Sequence, residues 1–147
     1  MGMTGKSGLS LKLLIVLTRA HRAITDRVTA DIKSYGLNPT EFAVLEMLYH
    51  KGDQPIQQIG KKVLLASGSI TYVVDKLEQK KLLVRKPCPK DRRVIYATIT
   101  DAGKNLMDDI FPQHEAMIKH LFDVLTDDEK EELIALLKKV GLSVHRQ

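Results

Sequence analysis

The chain has 147 residues, of which 44% are hydrophobic, so it is the size of one domain and has enough apolar residues for a core. No apolar run reaches the ~18 residues that a membrane span requires, and the opening residues lack the apolar segment of a signal peptide. The single cysteine, Cys88, excludes an intramolecular disulfide, and we expect a cytoplasmic protein.

The formal net charge of +5 is unevenly distributed along the chain. Residues 51–95 contain eleven Lys and Arg against four Asp and Glu, a net of +7, whereas residues 100–139 contain five against ten, a net of −5. A basic middle segment beside an acidic C-terminal third indicates one surface that binds a polyanion. Ordinary solvated charge would give the same totals, so the charge alone does not select a function.

Helix signals organise the first third of the chain. Residues 1–8 are rich in Gly, Ser and Thr and predict a flexible tail, and residues 9–35 follow a helical hydrophobic period. Gly36 is predicted to end this helix. Asn38 is predicted to cap a second helix, because the proline after it suits the first helical position and Glu41 completes a capping box.

Four further helices are predicted downstream. Pro55 opens a short third helix, and Ser67 can cap a fourth one. Thr100 is a candidate N-cap for a long helix with a kink at Pro112. A second capping box at residues 126–129 starts the final helix, which has leucines on one face.

The fourth helix has the pattern of a helix that reads DNA. At 100° per residue, four apolar side chains fall on one arc, which we assign to the core, and small hydroxyl residues occupy the first turn of the exposed side. Such a helix can enter a major groove about 12 Å wide. A plain amphipathic surface helix is the alternative interpretation. The residues expected at the DNA, with Ser67 mainly as the cap, are Ser67, Gly68, Ser69, Thr71, Tyr72 and Lys76.

Residues 91–99 predict a wing, in which a basic turn leads into a short strand with alternating faces. An arginine at the tip of a turn fits a narrow minor groove, where the potential is most negative. A soluble turn with scattered charge is the alternative. The wing residues expected at the DNA are Lys90, Asp91, Arg92 and Arg93, and either arginine could enter the groove. Other candidates for phosphate contacts, or for the general positive field, are Lys61, Lys62, Lys80, Lys81, Arg85 and Lys86.

The wing also carries a recognisable spacing. The pattern Asp-x-Arg-x5-Ile-Thr-x-x-Gly is matched at Asp91, Arg93, Ile99, Thr100 and Gly103. It resembles the wing signature of the MarR (multiple antibiotic resistance regulator) family. The resemblance implies that the aspartate braces the wing, that the arginine meets DNA, and that the chain is a sequence-specific DNA-binding transcriptional regulator.

The resemblance covers about residues 9–142 and implies one domain of mainly α structure with a small β wing. The winged helix-turn-helix would occupy about residues 38–100 and contain one two-stranded sheet. Dimerisation helices from both chain ends would occupy about residues 9–35 and 101–142.

The terminal helices have more apolar surface than a small reading domain can cover, so we expect a homodimer. In the family that the chain resembles, the terminal helices of two subunits interlock. The two reading helices then face successive major grooves, which implies a pseudo-palindromic operator in double-stranded DNA. The alternative is that these helices pack against their own subunit.

The resemblance further implies an effector pocket between the dimerisation helices and the winged unit. Residues 36–46 and 110–114 resemble the hydroquinone-responsive branch of the family found in Firmicutes. The expected function is therefore that of a repressor released by a small aromatic, phenolic or quinone-like effector. The candidate pocket residues are His21, Tyr35, Tyr49, His50, Phe111 and His114.

Two other functions remain open at this point. Cys88 lies among basic residues that favour its thiolate, so the chain could be a redox or electrophile sensor, although thiol-based members usually have their cysteine in the first helix. A protein-interaction module that kept the fold without reading DNA is the second. An enzyme is not expected, because the zinc-protease, dinucleotide and P-loop motifs are missing, and no cofactor or metal is predicted.

Overall fold

The computed structural model of the chain describes residues 5–63 and 67–146. These residues divide into two compact units, one that ends at His114 and one that begins at Glu115. The single domain predicted over residues 9–142 stays a prediction. The final helix buries none of its residues within this chain.

The described residues form six helices and three short strands. The helices are α1 (Gly5–Ser34), α2 (Pro39–Lys51), α3 (Ile56–Lys62), α4 (Ser67–Gln79), α5 (Asp101–Leu121) and α6 (Asp127–Arg146). The strands are β1 (Gln54–Pro55), β2 (Leu83–Pro87) and β3 (Ile95–Ile99). The predicted fold class, mainly α with a small β wing, is confirmed.

The terminal helices extend further than the sequence predicts. Helix α1 starts at Gly5 rather than Leu9, so the flexible tail predicted over residues 1–8 is wrong for residues 5–8. Once a helix is nucleated, each added residue gains a backbone hydrogen bond at small cost, even when it is Gly or Ser. Gly36 has a φ of +81° and ends the first helical segment as predicted. Helix α6 continues to Arg146, beyond the predicted limit near residue 142.

The capping box at the start of α2 is confirmed and has a further partner. The Asn38 Oδ1 atom accepts a hydrogen bond from the Glu41 backbone N at 2.8 Å, and Glu41 Oε1 accepts one from the Asn38 N at 3.0 Å. The other oxygen of the buried Glu41 carboxylate lies 2.8 Å from the Nζ of Lys80. Lys80 also donates to the Gly36 carbonyl at 3.2 Å. Lys80, a predicted phosphate contact, therefore joins the start of α2 to the loop after α4.

The sheet has three strands in the order β1-β3-β2, and the prediction of a two-stranded sheet is wrong. Strand β1 pairs antiparallel to β3 through Gln54 and Ala97. A two-residue strand that contains a proline has no alternating pattern, which is why the sequence did not predict it. On its other side β3 pairs with β2, with Leu83 opposite Ile99 and Arg85 opposite Ala97. The central strand is therefore held on both edges.

The core of the first unit is built from α1 to α5 and the sheet. Its inward face on β3 is made by Ala97 and Ile99, in agreement with the predicted alternation. The large side chains with the least exposure are Leu45, Leu48, Ile59, Leu77, Leu83 and Met107.

The start of α5 explains the Thr-x-x-Gly part of the wing signature. Thr100 is confirmed as the cap, because its Oγ1 accepts a hydrogen bond from the Gly103 backbone N at 3.0 Å. The same hydroxyl donates to the Lys81 carbonyl at 2.7 Å. A Cβ on Gly103 would lie 2.3 Å from the Leu82 carbonyl oxygen, so only glycine fits there. Helix α5 then runs on with Pro112 inside it, and the kink predicted there stays a prediction.

The second unit contains the C-terminal part of α5 and the helix α6. The capping box that starts α6 is confirmed, because the Glu129 backbone N donates to Thr126 Oγ1 at 3.1 Å and the Thr126 N donates to Glu129 Oε1 at 2.9 Å. An apolar groove of about 340 Å³ follows, lined by Ile118, Phe122, Leu125, Leu133, Ile134 and Leu137.

Both terminal helices expose large apolar side chains. Those of α1 that are more than half exposed are Leu9, Leu11, Leu13, Leu14 and Val16. Those of α6 are Ile134, Leu136, Val140, Leu142 and Val144. The surplus of apolar surface expected on the terminal helices is therefore present in each unit.

Candidate nucleic-acid interface and effector site

Helix α4 has the two faces that the 100° rule predicts. Its core side is buried, with Ile70 5% exposed and Val74 and Leu77 fully covered. On the other side Tyr72 is 63% exposed, and the Nζ of Lys76 lies 5.4 Å from the centre of its ring. Ser69, Thr71 and Asp75 are also exposed on this side. This face offers hydroxyl groups, an aromatic ring, a cation and a carboxylate to a ligand outside the subunit.

The first turn of α4 begins at Ser67, within the helix. The described part of the chain excludes residues 64–66 and the side-chain surroundings of residues 67 and 68. The cap predicted at Ser67 and the close approach to DNA predicted at Gly68 therefore lie outside it. The packing of α3 against α4 is described at Gly60, where an added Cβ would lie 3.2 Å from Ile70 Cγ2. Glycine thus lets the two helices of the helix-turn-helix approach closely.

The wing tip is organised by Asp91. Its Oδ1 accepts hydrogen bonds from the backbone N and the Nε of Arg93 at 3.1 and 3.0 Å, and its Oδ2 accepts one from a terminal nitrogen of the same guanidinium at 3.2 Å. These bonds hold the pKa of the Asp91 carboxyl below its ordinary value. The Arg93 side chain is 91% exposed, so the brace orients it without covering it. Lys90 and Arg92 are also exposed.

Arg85, on β2, is in contact with α4. Its guanidinium donates to Asp75 Oδ1 at 2.5 Å and to Glu78 Oε1 at 2.6 Å, and its backbone N donates to Glu78 Oε2 at 3.2 Å. Desolvation lowers the pKa of Arg85, but the hydrogen bonds that it donates to Asp75 and Glu78 outweigh this effect and raise the pKa above its ordinary value. Two carboxylates of its own subunit therefore hold Arg85, and the phosphate contact or contribution to the general positive field predicted there stays a prediction.

A cleft of about 290 Å³ lies between α3, α4 and the wing. Thr71 of the reading helix and Arg93 of the wing both line it, together with Arg85. Helix α4 and the wing tip therefore border the same cleft of the first unit.

Four of the six predicted pocket residues form one aromatic cluster with Phe42. The ring of His50 lies 4.7 Å from that of Phe111 and 5.1 Å from that of Tyr49, and the rings of Phe42 and His114 are 4.6 Å apart. Phe111 connects the two pairs, 6.4 Å from His114. The cluster joins α2 to α5.

Two carboxylates accompany the aromatic cluster. The Nδ1 atom of the buried His114 lies 3.0 Å from Asp31 Oδ2. Asp31 also accepts a hydrogen bond from Tyr35, and burial, together with this bond, raises the pKa of Tyr35 to about 12. Tyr49 donates a hydrogen bond to Asp108, which raises the pKa of Tyr49. Five of the six predicted pocket residues are thus linked through rings or carboxylates.

His21, the sixth candidate, is exposed on α1, and none of the described ring contacts involves it. Sequence reasoning missed Asp31, Phe42 and Asp108. Asp31 precedes Tyr35, the first residue after α1, by four positions, so helical spacing could have paired them. The contact between Asp31 and His114 spans 83 positions and left no local signal.

Comparison with known proteins decides the family. A family profile described as MarR family matches residues 37–95. The chain is 63% identical over 134 residues to the HTH-type transcriptional regulator MhqR of Bacillus subtilis, covering 91% of this chain and 92% of that protein. The chain belongs to the MarR family.

Two solved structures confirm the MarR fold. AbsC, a MarR family transcriptional regulator from Streptomyces coelicolor, superposes with a TM-score of 0.84 at 20% identity, covering 100% of this chain and 99% of that one. The MepR–DNA complex from S. aureus gives a TM-score of 0.76 at 20% identity, covering 86% of this chain and 96% of the MepR chain.

Family membership fixes the class of function. MarR proteins are DNA-binding transcriptional regulators and typically homodimers, so this chain is a regulator rather than an enzyme. Within the described residues, no helix combines the length and apolar character needed to cross a bilayer. The same residues contain no group of three or more side chains that could hold a metal ion.

Cys88 directly follows β2 and is half-buried. Its backbone N donates to the Val94 carbonyl at 2.9 Å, which closes the base of the wing turn. The thiol is therefore located in the wing of the MarR fold rather than among the aromatic cluster.

Proposed function

We propose that this MarR-family regulator is a homodimeric repressor that binds a pseudo-palindromic operator and is released by a small aromatic, phenolic or quinone-like effector. The observation that supports it most is that Thr71 of α4 and the braced Arg93 of the wing line one cleft. One face of the first unit thus offers a helix for the major groove and an arginine for the adjacent minor groove.

In the proposed complex, the N-terminal half of α4 enters the major groove. Ser69 and Thr71 donate to phosphates or base edges, and Tyr72 contacts a phosphate or a thymine methyl group. We propose Ser67, Gly68 and Lys76 as further residues of this helix at the DNA. The wing places Arg93 or Arg92 in the minor groove. Asp91 orients the wing tip, and Lys90 lies near the phosphate backbone of the DNA. MepR, which shares the fold, has been solved in complex with DNA, and this supports DNA as the ligand.

The homodimer is supported by the exposed apolar side chains of α1 and α6. A second copy would remove them from water, at about 25 cal/mol per Å² of apolar surface. Two-fold symmetry would place the two α4 helices one turn of DNA apart, about 34 Å, which matches a palindromic operator.

The effector site is proposed at the aromatic cluster of Tyr49, His50, Phe111 and His114, with Tyr35 beside it. Aromatic rings provide stacking surfaces, and the nearby carboxylates and imidazoles can accept or donate hydrogen bonds to a phenolic hydroxyl. His21 remains a candidate effector contact outside this cluster. The 63% identity to MhqR supports a shared type of effector. To release DNA, the effector must bind the DNA-incompetent dimer more tightly than the competent one.

The test begins with selection of bound duplexes from a random DNA pool by the purified protein. Affinity for the selected operator is then measured over a range of salt concentrations. We expect Arg93→Ala to lower the slope of log K against log salt by about one unit, and Tyr72→Ala to alter base preference by ~1–3 kcal/mol at one position. Release is then tested with hydroquinone, catechol and benzoquinone.

Failure to bind any duplex at low salt would refute the proposal in favour of a protein-interaction module. Duplex binding without release by any phenol or quinone would leave a DNA-binding regulator and remove the proposed effector class.

A further inference from the structure

Arg85 bridges the wing and the reading helix. Its guanidinium contacts Asp75 at 2.5 Å and Glu78 at 2.6 Å, and these two acidic residues lie one turn apart on α4. The Glu78 carboxylate also accepts the Arg85 backbone N–H, so the strand backbone is held as well as the side chain. The Arg85 side chain is 28% exposed, against 51% for Asp75 and 39% for Glu78. We call these three residues the α4–wing clamp.

The clamp lies at the point where the wing leaves the core. Leu83, nearer the core, and Ala97, which lies opposite Arg85, are fully buried. Beyond this pair Lys86 of β2 is exposed, while Tyr96 of β3 is still paired with Pro55 of β1. Strand β3 is thus held by β1, and on β2 it is Arg85 that α4 holds, so the direction of β2 towards the tip depends on this residue.

The acidic members of the clamp are unexpected on a helix that meets DNA. Two carboxylates next to a polyanion oppose binding by simple electrostatics. Their presence needs a benefit that outweighs this repulsion. Fixing the direction of the wing is such a benefit, because a positioned arginine loses less freedom when it enters the groove.

We infer that Arg85, held by Asp75 and Glu78, is a positioning residue that fixes the wing relative to α4, so that the DNA contact of Arg93 depends on it. The inference rests on the proposed DNA-binding function of α4 and the wing. Arg85 then affects DNA binding through the position of Arg93 and does not itself contact a DNA phosphate.

The direction of the change in operator affinity distinguishes the clamp from a purely electrostatic role of the two acidic residues. The variant Asp75→Asn/Glu78→Gln removes two negative charges from the DNA-facing side and keeps the size of both side chains. If these acids act only by charge, the variant binds the operator more tightly than wild type. If they hold the wing through Arg85, it binds more weakly, by about the same factor as Arg85→Ala.

A double-mutant cycle tests the dependence on Arg93 directly. In the wild-type background, Arg93→Ala should lower the salt slope by about one unit. In the Arg85→Ala background the same change should lower it by much less, because the wing is no longer held in place. Tyr72→Ala, which acts from α4 itself, should cost a similar factor in both backgrounds.

Two further variants serve as controls. Lys86→Ala removes the same charge from the adjacent, exposed position of β2 and leaves the clamp intact, so Arg93 should keep its contribution there. Arg85→Lys should restore only part of the coupling, since one ammonium group does not present the fork that reaches two carboxylates. Circular dichroism checks folding of each variant, and Asp75→Asn/Glu78→Gln carries the test if Arg85→Ala does not fold.

The outcomes are distinguishable. Weaker binding of the neutralised-acid variant, with loss of the Arg93 contribution in Arg85→Ala, supports the inference. Tighter binding of that variant, or an undiminished Arg93 contribution, overturns the clamp and leaves the proposed DNA interface standing. If Arg93→Ala has no effect in the wild-type background, the proposed wing contact fails, and the inference fails with it.

Discussion

The Nδ1 atom of His114 lies 3.0 Å from Oδ2 of Asp31, so a buried side chain of α5 is bonded to the last turns of α1. His114 is 6% exposed and its ring also lies against that of Phe42. The contact ties a helix that follows the wing to one that precedes the helix-turn-helix.

We expect His114→Ala to destabilise the fold by about 1–3 kcal/mol, because Asp31 would keep a partly buried carboxylate without this partner. The free energy of unfolding in urea, at fixed protein concentration, measures the loss. His21→Ala, at an exposed position of α1, is the matched control and should change it little. Equal midpoints for the two variants would contradict the structural role of the contact.

Alkaline pH should weaken the fold through Tyr35. Burial and the hydrogen bond with Asp31 raise its pKa from 10.0 to about 12. Above pH 10 the unfolded chain releases this proton first, so stability is full below pH 10 and is lost as pH rises to 12. Unfolding curves across this window should show the decrease, and Tyr35→Phe should show a smaller one. A variant with the same pH profile as wild type would exclude Tyr35 as the cause.

Gly103→Ala should destabilise the protein by about 1–3 kcal/mol or more, because its Cβ would lie 2.3 Å from the Leu82 carbonyl oxygen. The comparison is Gly141→Ala in α6, where an added Cβ meets nothing within 4 Å. That change should be neutral or stabilise by up to about 1 kcal/mol, since alanine is the better helix former. Thermal unfolding of both variants gives the answer, and a stable Gly103→Ala protein would disprove the close contact.

Dimerisation should depend on the apolar surface of α6. Leu137 lines the apolar groove of the second unit, so Leu137→Glu should yield monomer or aggregate in sedimentation equilibrium. Lys138→Glu introduces the same side chain at the next, exposed position and should leave the dimer intact. Deletion of residues 133–147 should act like Leu137→Glu. An operator-binding dimer after the deletion would rule out this helix as an interface.

Cys88→Ser separates a pocket effector from a thiol trigger. If the effector occupies the aromatic cluster, the variant should still leave its operator when benzoquinone or catechol is added, because serine keeps the size and removes the reactive group. If attack on the thiol is the trigger, the variant stays bound while wild type is released. A stoichiometric Cys88 adduct in mass spectrometry, combined with a lost response, would favour the thiol sensor.

Local patterns in the sequence predicted most of the fold. Helix caps at Asn38 and Thr100 depend on residues three positions apart, and they are confirmed. The burial of Ile70 and Leu77 on α4 follows from the helical period, since a helix beside a core must cover its apolar arc. The short strand β1 left no such pattern, because it has two residues and borrows its order from β3.

The candidate site was harder to predict, because its contacts join distant segments. Arg85 has the charge expected of a residue that contacts DNA phosphates, and nothing in its immediate sequence reveals that it forms ion pairs with Asp75 and Glu78. Asp31 likewise meets His114 only after α1 and α5 have packed. The aromatic candidates were chosen by residue type, and packing brought together those on α2 and α5 but not His21 on α1.

The edges of the small sheet are closed to further strands. Strand β1 has two residues, and Pro55 has no N–H to donate, while β2 ends in Lys86 and Pro87. Wings of neighbouring molecules crowded on one stretch of DNA would otherwise present each other with open backbone groups. Because β1 is short and both edge strands contain a proline, we expect the sheet not to extend by strand addition between neighbouring molecules.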